Sequence, residues 1–304
     1  MITASKKSTT QLLVNSVRQR GFNLVEVAIA LVILALALGG VISAFAPQLS
    51  NRGFTTTQAQ LVEANEAVLA FASTNGRLPC PATPASGGLE SFCTTPTGIC
   101  TVAVPPNLPA AVVSSRGRCS AAPNAGFIPA LTLGLVGQGS RGTVVDTWAG
   151  TLQYVVSAVI NTATNASPTS FITPACGAGV NTCAPLTQIN GIKNAYYNQP
   201  NPTPTLASPV SDIFVCNTAT GIAAATCGAA QQRANPAFVV FSLGQIRAAR
   251  GTDETANTNA DRVFVSHERT DDATPAPNLG FDDLLVWTTT DQLRARMVAT
   301  KVVP

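Results

Sequence analysis

Charge is scarce in this chain of 304 residues: Asp, Glu, Lys and Arg make up 11% of it, well below the roughly 25% of an ordinary soluble domain. Histidine occurs once, at His267, and there is no Cys-x-x-Cys pair, so the common zinc-ligand spacings are missing. No acid occurs in residues 1–21, which carry Lys6, Lys7, Arg18 and Arg20. The rest of the chain is close to neutral. It therefore has neither the basic surface that points to nucleic acid nor an acidic tail. Cysteine is absent before Cys80, and no internal repeat is found. Ser, Thr, Asn, Pro, Gly and Ala fill the space left by charge, a composition common in exported, loop-rich β domains.

Eight cysteines are present: Cys80, Cys93, Cys100, Cys119, Cys176, Cys183, Cys216 and Cys227. An even number on one side of a hydrophobic segment reads as disulfides in an oxidising compartment, with metal binding as the rival. Short loops favour Cys93–Cys100, Cys176–Cys183 and Cys216–Cys227, which leaves Cys80 with Cys119. Eight cysteines allow about 105 connectivities, so spacing alone does not choose between them.

The hydrophobic segment runs from Phe22 to Ala46, with only Asn23, Glu26 and Ser43 polar. As a helix of about 1.5 Å per residue it is long enough for a bilayer core of about 30 Å. The basic residues before it place the leader on the cytoplasmic side and the cysteines beyond it outside. A cleavable secretory signal would have a shorter apolar core of about 7 to 15 residues. A plain signal anchor fits the length. It leaves unexplained why Gly21-Phe22 stands at the charged boundary, and why Glu26 sits inside an apolar run where burying its charge costs about 2.5–3.5 kcal/mol.

The stretch RQRGFNLVEVAIALVILALALGG (Arg18–Gly40) resembles the N-terminal signature of type IV pilins and of the pseudopilins of type II secretion. There a basic leader ends in Gly, an aromatic residue follows, and Glu stands early in a long apolar helix. Gly21, Phe22 and Glu26 match; Asn23 replaces the usual Thr or Ser. The resemblance implies cleavage between Gly21 and Phe22 by a prepilin peptidase on the cytoplasmic face, then methylation of the new Phe22 amine. It also gives Glu26 a partner: the cationic first residue, here Phe22, of a neighbouring pilin or pseudopilin subunit. Such a pairing in a low-dielectric filament core would favour staggered register and penalise unpaired subunits. The bland alternative is a Glu that snorkels to lipid headgroups.

Beyond the apolar run, TTTQAQLVEANEAVLAFASTNG (55–76) places Leu61, Ala64, Val68 and Phe71 on one helical face, with Ala72 beside it. Gly39-Gly40, Pro47 and Gly53 predict bends or local melting. Asn75-Gly76, followed by Pro79 and Pro81, predicts the stop. Strands are expected in 126–136, 151–160, 211–216, 237–244, 262–266 and 282–288, and long loops in 161–209 and 245–260. Thr289 and Gln292 read as a capping box before a C-terminal helix. The motif DTWAGTLQYVV (146–156) is similar to the strand entry of major pseudopilins through Asp146, Trp148, Gly150 and Tyr154. Thr147 and the extra Ala149 depart from that pattern, and a turn leading into a strand is its simpler reading.

Two further patterns point away from chemistry. GQGSRG (137–142) matches a dinucleotide fingerprint but runs into Thr143-Val144-Val145, which favours extended chain over a helix. His267 has Ser266 beside it and Asp271-Asp272 nearby, with no nucleophile elbow. The acid pairs Asp271-Asp272 and Asp282-Asp283 lack a calcium-loop spacing and read as solvated faces.

The expected fold class is α+β: a long N-terminal helix, apolar and transmembrane in one half and amphipathic in the other, packed on an antiparallel β-sheet domain with disulfide-stapled loops and a short C-terminal helix. The expected divisions are a cleaved leader (1–21), a transmembrane or filament-core helix (22–50), an amphipathic stem (51–76) and a periplasmic or extracellular domain (77–304). The expected function is a minor pilin or pseudopilin-like structural subunit, not an enzyme, with no cofactor, no metal and no nucleic acid. Its expected partners are prepilin peptidase, other subunits and the bacterial inner membrane, with the C-terminal domain periplasmic. A membrane-anchored binding protein that never polymerises stays open beside it, as does an anchored enzyme.

Overall fold

The computed structural model describes residues 23–93, 102–103, 119, 126–136, 139, 142–157, 171, 191–196, 211–245, 250–259, 261–270 and 280–303. The chain divides into two compact units, 1–51 and 52–304. Helix α1 covers Leu24–Asn75. It is assigned without a break through Gly39, Gly40, Pro47 and Gly53, where interruptions were expected. It ends at the Asn75-Gly76 stop: Gly76 takes φ +66° and its N–H reaches back to the Ala72 carbonyl, a left-handed closure that glycine adopts without strain.

In the second unit the remaining elements are β1 (Phe92–Cys93), β2 (Val102–Ala103), α2 (Ala130–Leu133), β3 (Gln153–Val156), α3 (Gly191–Tyr196), β4 (Phe214–Cys216), β5 (Gln232–Ala234), β6 (Pro236–Ser242), α4 (Thr252–Ala256), β7 (Val263–Val265), β8 (Leu284–Thr289) and α5 (Thr290–Ala299). Among the described residues three sheets result. The strand pair β1–β2 is antiparallel. The sheet β3-β6-β8 is antiparallel throughout, with Tyr154 opposite Val240 and Val240 opposite Val286. The sheet β5-β4-β7 is mixed, β4 running parallel to β7.

Side-chain alternation along the central sheet explains the layering. Tyr154, Val156, Phe238 and Val240 face one way, into a core with Leu61, Ala64, Val68 and Ala72 of α1 and with Leu293 and Met297 of α5. Val155, Val239, Phe241 and Leu285 face the other way, against Ile213, Val215, Ala234 and Phe264 of the second sheet. Strand β6 is buried at every position because both its faces are covered, which accounts for its nearly unbroken apolar sequence. The order is helices, sheet, sheet. At α5, Thr289 and Gln292 form both halves of the capping box.

The expected fold class is corrected on two points. Among the described residues no helix is long and apolar enough to cross a membrane. The described strands form three small sheets instead of one antiparallel sheet, because a parallel β4–β7 pair completes a second layer over the first. Local readings change too. Segment 126–136 holds isolated bridges from Phe127 to Ala82 and Gln153 and the short helix α2, and the expected loop 245–260 contains α4.

Two disulfides lie among the described residues, Cys80–Cys119 and Cys216–Cys227. The expected pairs Cys93–Cys100 and Cys176–Cys183 fall wholly or partly outside them.

Candidate functional site

The first described turn of α1 is built on Asn23, whose carbonyl accepts from the N–H groups of Glu26 (2.8 Å) and Val27 (3.2 Å). Glu26 therefore stands in the opening turn, where a negative charge is favoured by the helix dipole, and it is exposed. Gly21 and Phe22 lie outside the described residues. From Glu26 onward the helix exposes Val27, Ile29, Leu31, Val32, Ile33, Leu34 and Leu36; before it, Leu24 is 82% exposed. No side of this stretch is buried within the chain.

In the second unit, the Asp146 turn is docked on the lower part of α1. Asp146 Oδ1 accepts from the backbone N–H groups of Trp148 (2.9 Å) and Gly150 (2.7 Å), and Oδ2 accepts from the Ser242 hydroxyl (2.6 Å). Ala149 takes φ +64° to close the loop. Trp148 then packs at a tilt against Phe54, 4.6 Å between ring centroids, and the Thr147 hydroxyl donates to the Gly53 carbonyl at 3.0 Å. A Cβ on Gly53 would lie 3.2 Å from the Thr147 hydroxyl and 3.3 Å from the Trp148 ring. The glycine is what lets the turn approach the helix so closely. Tyr154 follows as a buried core residue whose hydroxyl donates to the Pro79 carbonyl. These contacts are structural.

His267 is fully engaged. Its Nε2 meets Asp253 Oδ2 at 3.0 Å, its Nδ1 meets the Glu268 carbonyl at 2.7 Å, and its ring stacks on Phe281 at 3.9 Å. Asp253 also accepts from the Ala219 N–H and the Thr218 hydroxyl. The histidine clamps α4 to the end of β7; Asp271 and Asp272 lie outside the described residues.

The acids Asp282 and Asp283 are not a solvated face. They are 1% and 5% exposed, and the buried Glu254 of α4 joins them. Each of the three offers a carboxylate oxygen within 4.8 Å of the others. The Asp282 N–H donates to Glu254 Oε1 (3.3 Å), and Asp282 Oδ2 accepts from the Gln245 N–H (3.2 Å). Asp283 Oδ2 accepts from Asn257 Nδ2 (2.8 Å), and Asn257 is itself locked to both backbone groups of Val265. Burial pushes the Asp283 carboxyl up to about 7; the charges of Glu254 and Asp282 add to this, against the Asn257 hydrogen bond and Arg250. Sequence reasoning missed Glu254 because it precedes the acid pair by 28 residues in a segment read as loop. No local spacing signals the encounter.

Comparisons with protein-family models, characterised proteins and solved structures yield no match.

Proposed function

We propose that this chain is a minor type IV pilin or pseudopilin-like subunit, processed between Gly21 and Phe22 and built into a filament through its N-terminal helix. The observation that carries the reading is the uncovered apolar surface from Leu24 to Leu36, interrupted by a single acid, Glu26, in the opening turn. Nine large apolar side chains are exposed there. Burying each is worth about 1.5–3 kcal/mol, so leaving the set in water forgoes more than about 10 kcal/mol. Copies of the same helix, packed side by side, would cover that surface. In that environment Glu26 needs a cation, and the Phe22 amine released by cleavage of a neighbouring copy supplies one. Before assembly the same surface holds the subunit at the bacterial inner membrane, with the folded unit on the periplasmic side, where the disulfides Cys80–Cys119 and Cys216–Cys227 form and persist. The large folded unit favours a priming, tip or surface-contact role over that of the main repeating subunit.

Mass spectrometry of the chain recovered from the producing cell tests the reading. The expected N-terminus is methylated Phe22, and an unmethylated chain beginning upstream of it would overturn the proposal. Glu26→Leu is expected to keep its membrane association and fail to enter filaments; normal incorporation would refute the pairing role of Glu26.

A further inference from the structure

We propose that Glu254, Asp282 and Asp283 bind one divalent cation of the calcium class, which fastens α4 to the start of β8. The inference is independent of the filament reading. Three carboxylates on two separate chain segments converge in the protein interior. Concentrating negative charge away from water is costly unless something positive offsets it. The second observation is Asp283 itself. It is buried, its Oδ2 is used by Asn257, and its Oδ1 has no hydrogen-bond partner among the described residues. A buried carboxylate oxygen left in that condition costs about 1–3 kcal/mol or more, and a cation is the group that an all-oxygen cluster accepts.

The surrounding structure holds the three acids in place. Asn257 bridges Asp283 to the backbone of β7, the Gln245 N–H fixes one oxygen of Asp282, and the Asp282 N–H fixes one oxygen of Glu254. Gly244, at φ +60°, brings the chain against Asp282: a Cβ there would stand 2.2 Å from Asp282 Oδ1. Any side chain at 244 would therefore push Asp282 away from the cluster. Oxygens bound to one Ca²⁺ at about 2.3–2.6 Å stand at most about 4.6–5.2 Å apart, so oxygens within 4.8 Å of one another can share an ion of that size. Hard carboxylate ligands suit Ca²⁺, whereas Mg²⁺ dehydrates reluctantly and is seldom held by an all-protein cage.

The test uses the full-length chain in detergent, stripped with chelator and titrated with CaCl2 by calorimetry and thermal melting. One saturable site is expected, with a melting temperature raised by about 5 °C or more at about a hundredfold excess over Kd. MgCl2 at the same concentration is expected to give a clearly smaller rise. Asp283→Asn is expected to melt no lower than the stripped wild type and to lose the calcium response, while the exposed Asp291→Asn retains it. If Asp283→Asn fails to fold, Glu254→Gln carries the same expectation, and wild-type calorimetry needs no variant. Absence of calcium binding by the wild type, or full affinity in both Asp283→Asn and Glu254→Gln, overturns the site. An equal response to Mg²⁺ overturns the calcium assignment.

Discussion

Glu90→Gln is expected to be among the most damaging conservative changes in this chain. Arg77, just past the end of α1, meets Glu90 in a two-pronged pair, Nη1 to Oε2 at 2.8 Å and Nη2 to Oε1 at 2.7 Å. Both side chains are buried, and the guanidinium lies over the Phe71 ring at 4.9 Å. Glu90 Oε2 also accepts from the Cys80 N–H at 3.1 Å, so the pair ties the stem to the disulfide-bearing loop. Glutamine keeps the shape but removes the charge that faces the buried guanidinium in the two-pronged pair. Breaking such a pair on one side costs about 3–5 kcal/mol. At about 2–4 °C per kcal/mol for a unit of this size, the melting temperature falls by about 6–20 °C. Circular dichroism melts of the full chain without reductant measure it. Replacing both partners by apolar residues, Arg77→Met with Glu90→Leu, is expected to recover more than half of the loss, since no unpaired charge remains. A shift below about 2 °C for Glu90→Gln, or a double variant as unstable as the two singles combined, would refute the argument.

Alkali should unfold the second unit. Burial raises the Tyr154 pKa well above its ordinary value and does the same to Tyr196. The unfolded chain therefore gives up these protons first, from about pH 10, and stability falls as pH rises above that point. Urea midpoints that stay level from pH 9 to 11 would contradict this. Gly53→Leu should push Trp148 off Phe54, given how near a Cβ would already come. In a Trp287→Phe background the emission should shift to the red; an unchanged spectrum would show that the turn does not depend on the close approach.

Legibility followed the range of the interactions. The amphipathic stem was readable because Leu61, Ala64 and Val68 repeat at helical spacing and face one core together with Ala72; Phe71, expected on the same face, is only half-buried and lies under the Arg77 guanidinium instead. The stop at Asn75-Gly76 and the Thr289–Gln292 capping box were readable because each is a contact between near neighbours in the chain. Strands β3, β6, β7 and β8 announced themselves by β-branched and aromatic runs. The parallel pairing of β4 with β7 did not, because pairing partners are set by topology and not by composition. Phe127–Leu133 read as strand because apolar runs of that length suit either state; local packing turned it into isolated bridges and one helical turn.

The candidate sites divide in the same way. The sequence by itself determined the N-terminal features, since Gly21, Phe22, Glu26 and the apolar run that follows are contiguous and their arrangement needs no folding to be seen. Only the tertiary structure decided the fate of Asp282-Asp283. Their neighbours in sequence describe the solvated start of a strand. Burial under α4, with Glu254 arriving from 28 residues away and Asn257 holding Asp283 from one side, makes them a concentrated and desolvated charge. Composition records how many charges a chain carries; which of them must share a dry space is a property of the fold.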